Sequence, residues 1–354
     1  MPSVSPRVLP LADKRLALPL LALLAGCLPS LADSDFARGL VAVPGPRPSA
    51  AGVEITYLGV GGWLVDTGSS QLLTAPFFSN PGLFRAGFAS IAPYSMAIER
   101  ALEHLDVPDL SDVRAILVGH GHYDHLMDVP YLASRHAPRA RILGNRSVRL
   151  TLAPFEGPDL DASRIVDVSG SAASVEGGGA WIEVAPDLRV LPLLSDHAPH
   201  FAGRTLYGGD RGAPLTQRPR AADEWLEGET LAYLIDVLDG AGDVRLRIYY
   251  QDAVSREPLG LIPPELAPVD VALIVPATFA EVDWHPEAIM ENTLAAHVLL
   301  GHWEDFFRPA TDEPEPVPFT ILPEFVARLR RALDGDEGRW HLPVAGARFR
   351  WQER

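Results

Sequence analysis

The chain has 354 residues, of which 47% are hydrophobic, and a formal net charge of −16 with a pI near 5.1. That is ample for one large α/β domain, and an acidic chain without a Lys/Arg run in its body argues against a nucleic-acid partner, since such binding is carried by basic patches. The single cysteine, Cys27, excludes an intrachain disulfide and a cysteine-rich zinc knuckle, so a metal here must be held by His and carboxylate.

At the N-terminus Arg7, Lys14 and Arg15 precede an apolar stretch from Leu16 to Ala25. The stretch is too short for a membrane span and has the length of a signal-peptide core. It ends in Leu24-Ala25-Gly26-Cys27, which resembles the bacterial lipoprotein signal. The resemblance implies that residues 1–26 are a signal peptide and that Cys27 carries a lipid anchor. The protein is then exported and tied to a membrane of the cell envelope, facing the periplasm. Cleavage after Ala32 is the alternative and yields a soluble periplasmic or secreted protein. Residues 27–51, rich in Pro, Ser and Ala without a sustained period, read as a flexible tether, and residues 52–354 as one domain.

The domain opens with short strands at Val53 to Leu58, Gly62 to Asp66 and Gln71 to Thr74, punctuated by glycine turns. Pro76 to Gly82 is a loop, and Tyr94 to Leu105 has helical spacing of its apolar residues. Val113 to Val118 reads as a buried strand. Helix Leu126 to Ser134, strand Arg141 to Leu143, helix Ser147 to Pro154 and strand Arg164 to Val168 follow. Trp181 to Val184 and Leu188 to Leu194 form a hairpin about Pro186-Asp187. Residues 200–230, with five Gly and two Pro, are an insertion too long for a simple connector. A second hairpin joins Leu231 to Val237 and Arg245 to Tyr250. Buried strand Val269 to Val275, helix Glu287 to Ala296, strand His297 to Gly301, an exposed acidic loop at Asp312 to Pro318 and helix Pro323 to Leu333 complete the chain. No repeat at solenoid spacing is present. The alternation is that of a layered α/β protein.

Directly after the strand that ends at Val118 comes His120-Gly121-His122-Tyr123-Asp124-His125. A solvated polar turn is the bland alternative, but so dense a run of ligand side chains favours a metal site. Imidazole and carboxylate suit zinc and similar divalent ions. If His120 and His122 serve one metal and Asp124 and His125 a second, the other ligands belong at further strand ends. Three such ends fit: Ser195-Asp196-His197, Gln251-Asp252 and His302-Trp303. His200 rivals His197, although the apolar run stops just before His197. Trp303 reads either as core or as a residue stacking on substrate. His104 and His136 lie at helix ends, and His285, His297 and His341 lack a liganding neighbour, so these five read as structural or surface residues.

In this order, an HxHxDH motif, one His, one Asp and a last His, the chain from Val53 onward resembles the metallo-β-lactamase superfamily of hydrolases. The resemblance implies an α/β fold, the four-layer αββα sandwich of the metallo-β-lactamase type. It also implies two divalent metal ions, zinc first, with iron or manganese compatible with the same ligands. One ion takes His120, His122 and His197, the other takes Asp124, His125 and His302, and Asp252 bridges them. Gly301-His302-Trp303 and the strand running to His197 look most like the branch of ascorbate-6-phosphate lactonase and N-acylphosphatidylethanolamine-hydrolysing phospholipase D. The spacing His200-Phe-Ala-Gly-Arg204 resembles a His-x3-Arg pattern of that branch and favours His200 as the ligand; otherwise His200 lines the substrate pocket. There is one departure. Many relatives carry an Asp before the proline that here follows Ala75, and loss of that orienting carboxylate implies weaker metal binding or shifted activity.

Two such ions lower the pKa of water toward neutrality and hold a bridging hydroxide. By the resemblance Asp124 is catalytic as well as a ligand, holding that nucleophile in line. The implied function is hydrolysis of a phosphodiester or phospholipid-related substrate, a small molecule or a lipid, at the cell envelope. Lactonase, amidohydrolase or β-lactamase activity is the enzymatic alternative, and a non-catalytic metal-binding envelope lipoprotein is the alternative of another class.

Overall fold

The computed structural model describes residues 40–41, 52–200 and 203–352. The expected signal peptide, Cys27 and all of the expected tether except Leu40 and Val41 lie outside the described residues. The first half contains β1 (Leu40–Val41), β2 (Gly52–Gly59), β3 (Gly62–Asp66), β4 (Gln71–Thr74), α1 (Leu83–Phe88), α2 (Ser95–His104), β5 (Val113–Leu117), α3 (Tyr123–Leu126), α4 (Val129–Arg135), β6 (Arg141–Gly144), α5 (Arg146–Leu152) and β7 (Ile165–Asp167). The second contains β8 (Ile182–Ala185), β9 (Leu188–Leu194), β10 (Leu231–Leu238), β11 (Val244–Tyr250), β12 (Val271–Ile274), α6 (Glu287–Thr293), β13 (His297–Leu300), α7 (Leu322–Ala332), β14 (Trp340–Pro343) and β15 (Arg348–Gln352).

Seven strands form one sheet in the order β15-β2-β3-β4-β5-β6-β7, and eight form the other in the order β1-β14-β13-β12-β11-β10-β9-β8. Period-two alternation sorts their side chains between layers. Trp63 and Val65 of β3, Ala115 and Leu117 of β5, Tyr233 and Ile235 of β10 and Leu299 of β13 share the core between the sheets. Their neighbours Leu64 and Ile116 face outward onto Ile98 of α2, Val129 and Leu132 of α4 and Val148 of α5. On the far side Leu234, Ala272 and Val298 meet Ile289 of α6 and Phe325, Val326 and Leu329 of α7. Strands buried on both faces therefore read as unbroken apolar runs, and the result is a four-layer αββα sandwich.

The expected helix Leu126 to Ser134 is two helices, α3 and α4. Pro130 stands in the first turn of α4, where its missing N–H costs nothing, whereas inside one continuous helix its ring would meet the carbonyl four residues back. Helix α6 stops at Thr293, short of the expected Ala296, because Leu294 turns left-handed with φ +50°. Strands β14 and β15 and helix α1 were not anticipated. Strand β15 closes the edge beside β2, five residues pairing antiparallel from Arg348↔Thr56 to Gln352↔Gly52.

Candidate metal centre

Strand β5 pairs in parallel with both β4 and β6, and the chain leaves its C-terminal end through Val118-Gly119 into His120. Two glycines allow the close approach that follows. A Cβ on Gly119 would lie 2.4 Å from the Asp252 Cβ, and one on Gly121 would lie 2.2 Å from the Leu226 carbonyl oxygen. Gly121 N–H also donates to the Glu227 carbonyl at 2.7 Å, so the insertion braces the ligand loop. Asp124 and His125 sit on the single turn of α3. His197 follows β9, Asp252 follows β11 and His302 follows β13, all at one edge of the sandwich.

Seven expected ligands converge in three groups: His120, His122 and His197; Asp124, His125 and His302; and His120, His125 and Asp252. In the second, His125 Nε2 lies 3.2 Å from His302 Nε2. Asp124 Oδ2 is 3.4 Å from the former and 3.5 Å from the latter. Ligands at about 2.1 Å from a tetrahedral ion stand about 3.4 Å apart, so this triangle has the size of a coordination shell. Asp252 links the two triads: its Oδ2 is 3.3 Å from His120 Nδ1 and its Oδ1 2.7 Å from His125 Nδ1.

Neither of those nitrogens is aligned for a hydrogen bond. His120 Nδ1 and Nε2, His122 Nε2, His125 Nδ1 and His302 Nδ1 are all buried without a partner. Orphaned polar atoms are rare in protein interiors, and five on neighbouring imidazoles fit a site built for cations. Burial holds the imidazoles of His122 and His197 well below their ordinary pKa, and His120 below it, with neighbouring histidines adding to the effect. Their lone pairs are thus available at neutral pH. Burial opposes ionisation of Asp124 and Asp252, but the facing histidines hold both carboxyls well below the usual range.

A supporting network fixes the ligands from behind. Tyr250 OH donates to Asp252 Oδ1 at 2.6 Å, and Gly119 N–H to Oδ2 at 2.8 Å. His302 adopts φ +52°, a left-handed conformation unusual for a non-glycine residue. Its N–H donates to the Val60 carbonyl at 2.9 Å and to Tyr57 OH at 3.0 Å. Tyr57 in turn donates to Glu304 Oε1 at 2.6 Å. Ala75, where by the resemblance many relatives carry an Asp, is buried, and its N–H is taken by the Leu117 carbonyl at 2.8 Å.

The centre forms the floor of a cavity of about 1080 Å³, open mouth included. Leu83, Ala86, Leu206, Phe306, Val317 and Phe319 line its apolar walls, and no Lys or Arg is among the described residues lining it. Four lining residues other than glycine, Tyr207, Thr278, His302 and Phe319, are left-handed. His200 lines the cavity beside His197. Trp303 does not, which corrects its expected place near substrate. It is fully buried in the core outside the eight-stranded sheet, and its indole N–H donates to the Pro343 carbonyl at 2.8 Å. The left-handed turn at His302, two residues past the end of β13, leaves its ring at the centre while Trp303 packs into the core. Phe306, with its ring 5.2 Å from that of His302, is the aromatic residue beside the ligand. The five histidines expected to be structural belong to none of the ligand groups among the described residues.

No protein-family model and no curated protein matches the sequence. Among solved structures, a novel metallo hydrolase, Igni18, from Ignicoccus hospitalis aligns over 86% of this chain and 100% of its own, with TM-score 0.50 and 14% identity. The metallo-β-lactamase fold protein YhfI from Bacillus subtilis covers 85% of this chain and 99% of its own at TM-score 0.49 and 13% identity. The two mixed sheets between helical layers are the α/β sandwich of the metallo-β-lactamase type that the sequence resemblance implies. An isothiocyanate hydrolase from Delia radicum gut bacteria aligns over 84% of this chain and 99% of its own, with TM-score 0.47 and 12% identity. At 14% identity the likeness to Igni18 is one of fold alone.

Proposed function

We propose that this metallo-β-lactamase-type protein is a metal-dependent hydrolase that binds two divalent ions and acts on a substrate with an apolar body. One observation carries the reading: two triads of His and Asp, linked by Asp252 and rich in partnerless imidazole nitrogens, lie at the floor of an apolar cavity. Divalent ions held there, zinc first, supply Lewis acidity and lower the pKa of water. The chain supplies everything else. His120, His122 and His197 would hold one ion and Asp124, His125 and His302 the second, with Asp252 between the two triads. Phe306, Phe319 and Val317 exclude water and accept hydrocarbon surface.

The apolar wall supports the phospholipid-related substrate that the sequence resemblance implies, while an envelope anchor through Cys27 rests on the likeness of Leu24-Ala25-Gly26-Cys27 to the lipoprotein signal. A second reading has its own support. Without a Lys or Arg among the described residues of the lining, a phosphodiester anion meets no cationic side chain there, which favours an uncharged carbonyl substrate such as a lactone, amide or β-lactam. Metal-loaded mature protein, assayed on bis(p-nitrophenyl) phosphate, an acylated phosphatidylethanolamine, a lactone and a β-lactam, separates the two, and Asp124→Ala abolishes whichever activity is present. Inertness of the loaded protein toward all four would favour a metal-binding lipoprotein without turnover.

A further inference from the structure

His200 stands beside the metal centre without belonging to it. Its ring stacks on that of His197, with centroids 4.4 Å apart and planes 16° from parallel, yet it is in none of the three ligand groups among the described residues. The two rings are wired in opposite senses. His200 Nδ1 accepts a hydrogen bond from the Leu206 backbone N–H at 3.1 Å. A ring nitrogen that accepts carries no proton, and a neutral imidazole then holds its one proton on the other nitrogen. His200 Nε2 is therefore an N–H donor; to bind a metal it would have to become imidazolate. His197 Nδ1 faces the Ala198 carbonyl oxygen at 2.7 Å. A carbonyl only accepts, so the proton of His197 is on Nδ1 and its Nε2 keeps a lone pair, the usual wiring of a metal-binding histidine.

The donor is also held in place. His200 N–H donates to the Arg204 carbonyl at 2.9 Å, so the Arg204 and Leu206 backbone groups hold its backbone and its ring. In a cavity with no Lys or Arg among the described residues of its lining, a neutral N–H beside the ligands is a ready partner for an oxygen that gains negative charge. A donor fixed beforehand stabilises such charge without reorganisation.

We propose that His200 donates through Nε2–H to the substrate oxygen on which negative charge develops during hydrolysis, and that His197 alone of the stacked pair binds metal. The proton stays on Nε2 throughout, so no proton transfer is involved. The inference rests on the hydrolase reading above.

The test compares metal-loaded wild type with His200→Ala, His200→Gln and His197→Ala by elemental analysis, by kcat and KM on the best substrate, and by ¹⁵N spectra of histidine-labelled wild type. His200→Ala is expected to keep the full metal content while kcat falls about 10²–10³-fold with little change in KM, the range for loss of one such donor. His200→Gln, which retains an N–H, recovers part of that loss. His197→Ala loses a metal equivalent, and the spectra place the His200 proton on Nε2. Loss of metal in His200→Ala, an Nδ1–H tautomer at His200, or undiminished kcat overturns the proposal while leaving the hydrolase reading intact. An inert metal-loaded wild type overturns both.

Discussion

Asp128→Ala tests whether the cavity wall is held from beneath the metal centre. Asp128 is fully buried, three residues after His125. Its Oδ2 accepts the backbone N–H groups of Phe78 and Ser79, each at 2.7 Å, and its Oδ1 accepts Ser79 Oγ at 2.5 Å. Ser79 Oγ then accepts Tyr94 N–H at 2.7 Å, so one carboxylate ties the loop after β4 to the start of α2. Alanine leaves three interior donors without their acceptor, at about 1–3 kcal/mol each before water recovers part of it. We expect a net loss of about 3–5 kcal/mol, which lowers Tm by roughly 5–8 °C in a domain of this size. Because Leu83 and Ala86 beyond this loop line the cavity, KM should rise while metal content stays unchanged. Calorimetry, elemental analysis and steady-state kinetics on one preparation decide it. A loss under about 1 kcal/mol, below the cost of a single stranded donor, would refute the reasoning.

Tyr57→Phe removes the hydroxyl that bridges Glu304 and the His302 N–H; chelator competition should show metal affinity about 10–100-fold weaker with the far-UV spectrum unchanged, and equal affinity would dismiss the bridge. Ala75→Asp places a second carboxylate beside buried Asp252, so it should lower stability by about 2 kcal/mol or more in denaturant titrations rather than restore tighter binding. Burial pushes His285 down to about 4, against the pull of its hydrogen bond to the Val275 carbonyl. An unfolded histidine titrates near 6.5, so between these values the unfolded chain binds more protons. The stabilisation is present above about pH 6.5 and is lost as pH falls toward 4, amounting to roughly 3 kcal/mol. His285→Gln should flatten the fall in Tm over that window relative to wild type; identical slopes would contradict the assignment.

The HxHxDH motif was legible because one short loop delivers its ligands locally, and a reader of the chain sees them side by side. His197, Asp252 and His302 were legible for a different reason: each follows an apolar run, and parallel strands end at one edge of a sandwich. For Trp303 the core reading held and the substrate-stacking one did not, because the chain turns left-handed at His302 and sends the indole into the outer core. The choice between His197 and His200 hung on which backbone group meets each Nδ1, a matter of loop conformation that no spacing encodes. The bond from His302 to Tyr57 spans 245 positions, and the apolar cavity is assembled from segments as distant as Leu83 and Phe319. Both depend on how the two sheets pack. Helix α1 and strands β14 and β15 are short and lack strong turn punctuation, so their pattern did not stand out.

The central claim is that the chain holds two ions in two distinct triads. Anomalous scattering from crystals of the metal-loaded protein tests it most directly. The account predicts two peaks per chain, one about 2.0–2.2 Å from nitrogens of His120, His122 and His197, the other as close to Asp124, His125 and His302. A single peak, a peak on His200 Nε2, or density displaced from both triads would contradict it.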